Sequence, residues 1–267
     1  MGKAIKRVIL LIDMVLVVII FGIIYGIPVY TLIALKRIKI YHLERLSRLD
    51  REGRIFIINH PTLLEPPFSV LLLFLLQWPK AIIRAIKFLS FQEFSRCIPL
   101  STPDKKNYYD PIYLVWLRPF AIAINRAEEE MAKRNRAIAF RQIIRALTEG
   151  GKSIVFPPEG GRTYKQKEKF PPSPKGNEIA KFKRGIGRLG ILTGKEIIPL
   201  GFKETERILP NNKLAFFFLF VSPFLIVLKG PLKVNIGRSF RLTKELSEKE
   251  AEKIAAKALL ETLDEIS

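Results

Sequence analysis

A histidine and a glutamate, with four residues between them, interrupt an apolar region in "IFIINHPTLLEPP", residues 55–67. His60 follows a short β-branched run, and Glu65 stands within a leucine-rich stretch. A carboxylate that accepts the imidazole Nδ1 proton leaves Nε2 free to take a proton from a hydroxyl group. Because a lone acid in an apolar stretch is costly without a partner, the spacing indicates a general-base pair. The alternative is a histidine that caps a helix beside a glutamate stabilised by the helix dipole.

A second polar cluster is "FPPEGGRT", residues 156–163. Its two glycines, Gly160 and Gly161, permit a tight turn after a strand, which would place Glu159 and Arg162 at the same sheet edge as the histidine. The planar guanidinium of an arginine suits a phosphate group. Glu159 would either hold the arginine in place or bind a substrate hydroxyl. The alternative is a turn that carries a surface ion pair.

The elements that would position these residues alternate between strands and helices. Short apolar runs predict strands, and the longer runs, which are leucine-rich or have apolar residues near helical spacing, predict helices. The order predicts an α/β fold with a mixed, partly parallel sheet flanked by helices. Ser247 and Glu250 form a capping box that predicts a C-terminal helix over 248–265. The other predicted elements are strand Arg54–Ile58, helix Thr62–Gln77, strand Arg118–Arg126, helix Glu128–Thr148, and strands in "KSIVF" and "KEIIPLGF".

Two glycine motifs resemble nucleotide-binding sequences. "GIGRLG", Gly185–Gly190, matches G-x-G-x-x-G, but it follows "KFKR" instead of an apolar strand. "GGKS", residues 150–153, precedes a strand instead of following one, which indicates a turn between a helix and a strand. Neither motif has the structural context of a nucleotide site.

The N-terminal region is apolar, and Met14–Leu35 contains 22 consecutive uncharged residues. About 20 such residues cross a bilayer, so residues 1–45 are predicted to form a membrane-embedded helical anchor, and residues 46–267 the α/β domain. Two glycines and a proline within the run favour a hairpin that enters one leaflet, with a single span as the alternative. A second run, Leu214–Leu228, has 15 uncharged residues interrupted by Ser-Pro. It fits either buried strands or a second membrane-contacting patch.

The chain is strongly basic, with 45 lysines and arginines against 25 acids and a formal net charge of +20. Residues 242–267 carry four lysines and seven acids, a net charge of −3, which leaves +23 on residues 1–241. A basic protein fits nucleic acid, anionic lipid or acidic protein as a partner. No basic stripe with interleaved aromatic residues marks a nucleic-acid surface, so no nucleic acid is expected. The competing class is a non-enzymatic, membrane-tethered anion-binding protein, which the charge alone supports.

Cysteine and histidine are scarce. The single cysteine, Cys97, excludes an intramolecular disulfide, which fits a reducing, cytoplasm-facing location. With two histidines and one cysteine, the chain contains no His/Cys zinc cluster, and no metal site is predicted.

Four sequence blocks, in order, resemble those of the glycerophospholipid acyltransferase family, which includes the 1-acyl-glycerol-3-phosphate (lysophosphatidic acid) acyltransferases. Together they cover about residues 50–205. "NHPTLLEP" (59–66) is similar to the family's N-H-x4-D block, and "WLRPFAIAINR" (116–126) to the block that ends in an arginine. "VFPPEGGRT" (155–163) resembles the F-P-E-G-T-R block, and "KFKRGIGRLGILTGKEIIPLGF" (181–202) the F-K-x-G and I-x-P blocks.

The resemblance implies that an acceptor hydroxyl attacks an acyl thioester, supplied by acyl-CoA or acyl carrier protein, without a further cofactor. The acceptor would be lysophosphatidic acid, and the product phosphatidic acid. The enzyme would lie on the cytoplasmic (inner) membrane, with its active site facing the cytoplasm and an anionic phospholipid surface as its partner. By the resemblance His60 is the general base, Glu65 orients it, and the acceptor-binding residues are Arg126, Glu159, Gly160 and Arg162, with added charge from Lys183.

This sequence departs from the family pattern at three positions. Glu65 replaces an aspartate and is one methylene longer, Pro158 is an additional proline, and Gly161 replaces a threonine. The H-x4-E spacing also resembles that of lipid A secondary acyltransferases. Another lyso-lipid or a lipid A-type acceptor therefore stays open.

Overall fold

The structure is a computed structural model, and it describes residues 26–46, 53–88, 98–105, 121–125, 130–183, 185–209 and 222–266. The helices and strands are numbered in chain order. The helices are α1 (Ile27–Ala34), α2 (Glu65–Phe88), α3 (Glu130–Thr148), α4 (Ile186–Thr193), α5 (Thr205–Ile208), α6 (Ser222–Lys229) and α7 (Glu248–Asp264). The strands are β1 (Ile38–Tyr41), β2 (Ile55–Ile58), β3 (Leu100–Ser101), β4 (Ile154–Phe156), β5 (Ile197–Lys203) and β6 (Leu232–Ile236).

These strands form one sheet in the order β1-β6-β5-β2-β4-β3. Strands β3, β4, β2 and β5 are parallel, β6 is antiparallel to β5, and β1 is parallel to β6. The predicted α/β class with a mixed, partly parallel sheet is confirmed. The carboxyl ends of β2, β4 and β5 lie at the same edge, which is where ligand sites collect in open sheets of this kind.

Strand β2 is at the centre of the sheet, and helices cover both of its faces. Phe56 and Ile58 pack into the core that includes α2, whereas Ile55 and Ile57 pack into the core that includes α3, α4 and α7. All four side chains are completely buried. Burial on both faces explains why "IFII" shows no alternation of apolar and polar residues.

Two predicted elements differ from the observed ones in their bounds. The helix predicted over Thr62–Gln77 begins at Glu65 and continues to Phe88, and the helix predicted over Glu128–Thr148 is observed from Glu130. Residues 61–64 bend before the helix, and the Glu65 carboxylate accepts a hydrogen bond from the Thr62 N–H at 3.0 Å.

Two other predicted segments differ from the structure within the part of the chain that it describes. Of the strand predicted over Arg118–Arg126, residues 121–125 form isolated bridges beside β3, at Ser101↔Ala121 and Asp104↔Ile124. Strand β3 has only two residues, so it offers little to pair with. The described end of Leu214–Leu228 is helix α6, which excludes buried strands for residues 222–228, and the alternative of a membrane-contacting patch stays a prediction. A proline is tolerated in the first turn of a helix but removes a hydrogen-bond donor from a strand.

The predicted N-terminal anchor lies partly outside the described residues. From Ile27 the chain forms α1 and then β1, which joins the sheet. Val29, Leu32 and Ile38 pack into the same core as α2. Among the residues that the structure describes, no helix has both the length and the apolar character needed to cross a membrane.

The C-terminal helix begins as predicted. The Ser247 Oγ accepts a hydrogen bond from the Glu250 backbone N–H at 3.3 Å, and the Glu250 carboxylate accepts one from the Ser247 N–H at 3.0 Å. The "GIGRLG" glycines serve packing in this region. A Cβ on Gly187 of α4 would lie 2.5 Å from the backbone oxygen of Glu248, so helix α7 can approach only because Gly187 has no side chain.

Gly187→Ala should therefore destabilise the protein by about 1–3 kcal/mol, because an added methyl group forces two packed helices apart. Leu192→Ala on the exposed face of the same helix is the control, and it should change stability by no more than about 0.5 kcal/mol. Urea unfolding followed by circular dichroism measures both. Equal stability of the two variants would contradict this account of α4.

Candidate active site

The side chain of Asn59 holds the turn after β2, because it forms two hydrogen bonds with the backbone of β5, as a neighbouring strand would. The Asn59 amide donates to the Phe202 carbonyl at 2.9 Å and accepts from the Phe202 N–H at 2.7 Å. Both residues are buried. This pair of bonds extends the contact between β2 and β5 by one residue and fixes the backbone that leads into His60.

The structure brings His60 and Glu65 together. The Nδ1 atom of His60 lies 3.3 Å from Oε2 of Glu65, whose side chain is completely buried, while the imidazole is largely buried. A carboxylate only accepts hydrogen bonds, so this contact places the imidazole proton on Nδ1 and a lone pair on Nε2. Among the described residues, none forms a hydrogen bond with Nε2. That nitrogen is available to accept a proton from a bound hydroxyl.

Glu65 is fixed by Thr62 as well as by the histidine. Its carboxylate accepts from the Thr62 N–H at 3.0 Å and from the Thr62 hydroxyl at 2.8 Å. Two prolines follow in the first turn of α2, where helix N–H groups have no intrahelical partner. Thr62-x-x-Glu65 has the spacing of a capping box, a signal in the sequence that the initial interpretation missed. Glu65 is thus both the first residue of α2 and the partner of the His60 imidazole.

Glu159 anchors the backbone of His60. Its side chain is completely buried, Oε1 accepts from the His60 N–H at 2.9 Å, and Oε2 accepts from the Ala180 N–H at 2.9 Å. The Thr163 N–H donates back to the His60 carbonyl at 2.9 Å. Burial raises the pKa of the Glu159 carboxyl, and hydrogen bonds from Thr163, Ala180 and His60 oppose that rise. Glu159 is therefore not part of a surface ion pair, and both of its carboxylate oxygens accept hydrogen bonds from backbone N–H groups.

The remaining residues of the second cluster lie beside this anchor. Gly160 has a φ of 71°, and the Lys183 side chain passes so close that a Cβ on Gly160 would lie 2.6 Å from its Cγ. The Lys183 N–H donates to the Pro158 carbonyl at 2.8 Å, and its side chain is exposed. Arg162 directly precedes Thr163 and is half-buried. Arg126 lies outside the described residues. Binding of an acceptor by these residues stays a prediction.

The segment 162–183 adds positive charge near the histidine, because it holds seven cations and two acids. Both acids are paired across the segment: Glu168 with Lys181 at 2.8 Å, and Glu178 with Lys169. Each of the two acids thus pairs with one lysine, and the segment keeps a formal net charge of +5. An anionic substrate is attracted to a surface of this kind.

A cleft of about 390 Å³ opens at the same sheet edge. Asn59 and Pro61, the neighbours of His60 on either side, line it together with Lys203, Thr205 and Arg207. Three glutamates and two cations line the cleft, so its lining carries a formal net charge of −1. Within the described ranges, no three histidine, cysteine or acidic residues are grouped as metal ligands would be.

Comparisons with known proteins give the fold. No protein-family model and no curated protein matches the sequence. Among solved structures, the chain is similar to the crystal structure of the 1-acyl-sn-glycerophosphate (LPA) acyltransferase PlsC from Thermotoga maritima. The TM-score is 0.52 at 14% sequence identity, over 99% of this chain and 98% of that one. The chain therefore has a 1-acyl-sn-glycerophosphate acyltransferase-like fold.

The buried position of Glu159 predicts a pH-dependent stability. Because its pKa is raised in the folded protein, the unfolded chain ionises first as pH rises above the ordinary carboxyl value. Wild-type stability relative to Glu159→Gln should therefore be greatest at low pH and decrease until the pH passes the folded-state pKa. At every pH the variant should be less stable by about 1–3 kcal/mol, since an amide nitrogen would face a backbone donor.

Urea unfolding across this pH range measures the difference. Glu178→Gln is the matched control, because Glu178 is near Ala180 in the sequence, the residue whose N–H binds Glu159, but is about half-exposed. A Glu159→Gln difference that grows with pH, or a control that behaves like Glu159→Gln, would contradict the assignment.

Proposed function

We propose that this protein is a membrane-associated O-acyltransferase that moves a fatty acyl group from a thioester to the free hydroxyl of lysophosphatidic acid, giving phosphatidic acid. The observation that carries the proposal is the 3.3 Å contact between His60 Nδ1 and the buried Glu65 carboxylate, which directs Nε2 away from the pair. The acyltransferase-like fold supports transfer of this kind. The acceptor rests on the sequence resemblance.

In the proposed reaction the acceptor hydroxyl oxygen attacks the thioester carbonyl carbon. His60 Nε2 takes the hydroxyl proton as the new C–O bond forms, and Glu65 stabilises the resulting imidazolium. The C–S bond then breaks, and the imidazolium returns the proton to the leaving thiolate. The products are an ester and a thiol. The base and its orienting carboxylate are both present in this chain, and we propose no cofactor besides the donor substrate.

The acceptor phosphate would bind the cationic groups beside the dyad. Arg162 and Lys183 lie next to the turn that Glu159 fastens to His60, so a phosphate held there would be close to the histidine. Arg126 is the further candidate from the sequence. In this proposal Gly160 contributes by giving Lys183 room, and Glu159 acts as a positioning residue.

We propose acyl-CoA or acyl carrier protein as the donor and the cytoplasmic membrane as the location, with the active site facing the cytoplasm. Acyl-CoA carries phosphate groups and acyl carrier protein is acidic, so both donors are anions. The net charge of +20 on this protein would favour encounter with either one. The same charge favours an anionic phospholipid surface, from which a lysophospholipid acceptor would be drawn. Nucleic acid is not a proposed partner.

Product analysis tests the proposal directly. The purified protein is incubated with acyl-CoA or acyl carrier protein and with a panel of lyso-acceptors, and products are identified by mass spectrometry. Phosphatidic acid as the main product supports the proposal, whereas acylation of a different lyso-lipid or a lipid A-type acceptor corrects the acceptor. No acylated product with any pair would favour the non-enzymatic anion-binding alternative.

Replacement of the general base should abolish most activity. His60→Asn is expected to lower kcat by about 10²- to 10⁴-fold, the usual contribution of a positioned base. His42→Asn is the matched control, because His42 is the only other histidine and its φ of 58° suits asparagine. Steady-state kinetics should show a defect for His60→Asn alone. Wild-type turnover by folded His60→Asn protein would remove the proposed mechanism.

Replacement of the orienting carboxylate should affect rate more than binding. Glu65→Gln offers one acceptor oxygen where Thr62 and His60 donate three hydrogen bonds, so the imidazole loses its fixed orientation. We expect kcat to fall with little change in KM, and circular dichroism must show that the variant is folded. A change in KM for the acceptor with normal kcat would assign Glu65 to substrate binding instead.

A further inference from the structure

Two parts of the sheet are built in the same way, although about 190 residues separate them in the sequence. Helices α1 and α6 each have eight residues, and each leads through a short connection into a strand, β1 or β6. The two strands pair in parallel, with Ile38 opposite Leu232. The Leu232 N–H donates to the Arg37 carbonyl at 2.9 Å. The two helices also contact each other, so their carboxyl ends lie side by side.

Both helices are apolar on the face that points away from the protein. On α1, Ile27 and Leu35 are 59% and 62% exposed, and on α6, Phe224 and Leu228 are 72% and 77% exposed. Inward-facing residues of the same helices, such as Ile226, are buried in the core. A helix that is apolar all round is unusual on a surface that faces water. Exposed apolar side chains on two helices that contact each other are typical of an interaction site.

The rim of this face is basic. Lys36, Arg37 and Lys39 follow α1, and Lys229 ends α6. No acidic residue occurs between Gly26 and Tyr41 or between Ser222 and Asn235. An apolar face with cations at one end matches the chemistry of an anionic bilayer, in which acyl chains lie below negatively charged headgroups. A second copy of this chain fits less well, because docking the two faces would bring like charges together.

We propose that α1 and α6 together form a membrane-docking face that inserts its exposed apolar side chains into an anionic phospholipid bilayer. An eight-residue helix is about 12 Å long, which is enough to reach the boundary between headgroups and acyl chains. Lys36, Arg37 and Lys229 then lie at headgroup level. The new element is α6, which adds a second contact from the distant part of the chain to the N-terminal one and thereby fixes the orientation of the protein on the membrane.

This face lies on the side of the sheet that carries α2. Val29 of α1 and Ile226 of α6 pack into the same core as Phe68, which stands one turn after Glu65. Helix α5, at the carboxyl end of β5, contacts α6 and provides residues of the cleft. Docking by this face would therefore hold the layer that begins with Glu65 against the lipid. The docking inference does not depend on the proposed reaction.

The test places a fluorescent label at single positions of the full-length protein. Cys97 is replaced by serine, and a cysteine is introduced at Phe224 or Leu228 to carry an environment-sensitive fluorophore. Leu192→Cys and Met131→Cys are the matched controls, since both are exposed apolar residues on other helices. Each protein is mixed with phosphatidylcholine vesicles with and without phosphatidylglycerol, and quenching by nitroxide-labelled lipid reports insertion. Acyl transfer is not involved in the readout.

We expect the labels at 224 and 228 to shift to the blue and to be quenched on anionic vesicles, while the labels at 192 and 131 stay in water. This comparison remains informative if the N-terminal region alone keeps the protein on the vesicles. Unshifted labels at 224 and 228 on vesicle-bound protein would overturn the inference. So would a shift that depends on protein concentration in the absence of lipid, which would identify a second copy as the occupant.

The basic rim gives a second measurement. Lys36→Gln and Lys229→Gln should each weaken partition onto anionic vesicles by about fivefold, as one lysine near such a surface contributes. Lys257→Gln, an exposed lysine on α7, is the control. Equal effects of all three substitutions would mean that net charge alone attracts the protein to the vesicles. That result would contradict a docking face at α1 and α6.

Discussion

Two buried carboxylates fix His60, one through its backbone and one through its ring. Glu159 accepts the His60 N–H, and Glu65 accepts from Nδ1, both from completely buried positions. A buried carboxylate is costly unless its oxygens receive hydrogen bonds, and each of these receives several. The position and orientation of the imidazole therefore follow from the need to satisfy two buried acids.

The sheet brings the partners of this histidine together from three strands. His60 follows β2, Glu159 follows β4, and β5 supplies the Phe202 backbone that holds Asn59. Because the three strands are parallel neighbours, their carboxyl ends meet at one edge without any long side chain. The cationic segment 162–183 continues from the β4 turn, and its Ala180 N–H binds Glu159. The base, the cationic segment and the cleft thus lie at one edge of the sheet.

Local patterns predicted the elements whose contacts are close in the sequence. The strand before His60, the capping box at Ser247 and the contact of His60 with Glu65 all depend on spacings of a few residues, and the structure has all three. The chemical roles of His60 and Glu65 stay predictions. The spacing Thr62-x-x-Glu65 is a further local signal for this site, since Thr62 donates to Glu65 through its N–H and its hydroxyl.

Such local patterns do not predict which strands pair when the strands are far apart in the sequence. Strands β1 and β6 are short, and each gains its stability from the other or from β5, so the local sequence of either one carries little signal. Of the strand predicted over Arg118–Arg126, the described residues 121–125 form only isolated bridges, because their neighbour β3 has two residues. The burial of Glu159 depends on donors at His60 and Ala180, which only the fold brings close.

The tautomer of His60 is the most direct test of this account. With only two histidines in the chain, ¹⁵N NMR of the labelled protein resolves both rings, and comparison with the His42→Asn protein assigns them. At a pH at which the ring is neutral, the account predicts a protonated Nδ1 and an unprotonated Nε2 for His60, and the preference should weaken when Glu65 is replaced by glutamine. A proton on Nε2, or a tautomer that does not respond to the loss of the Glu65 carboxylate, would contradict it.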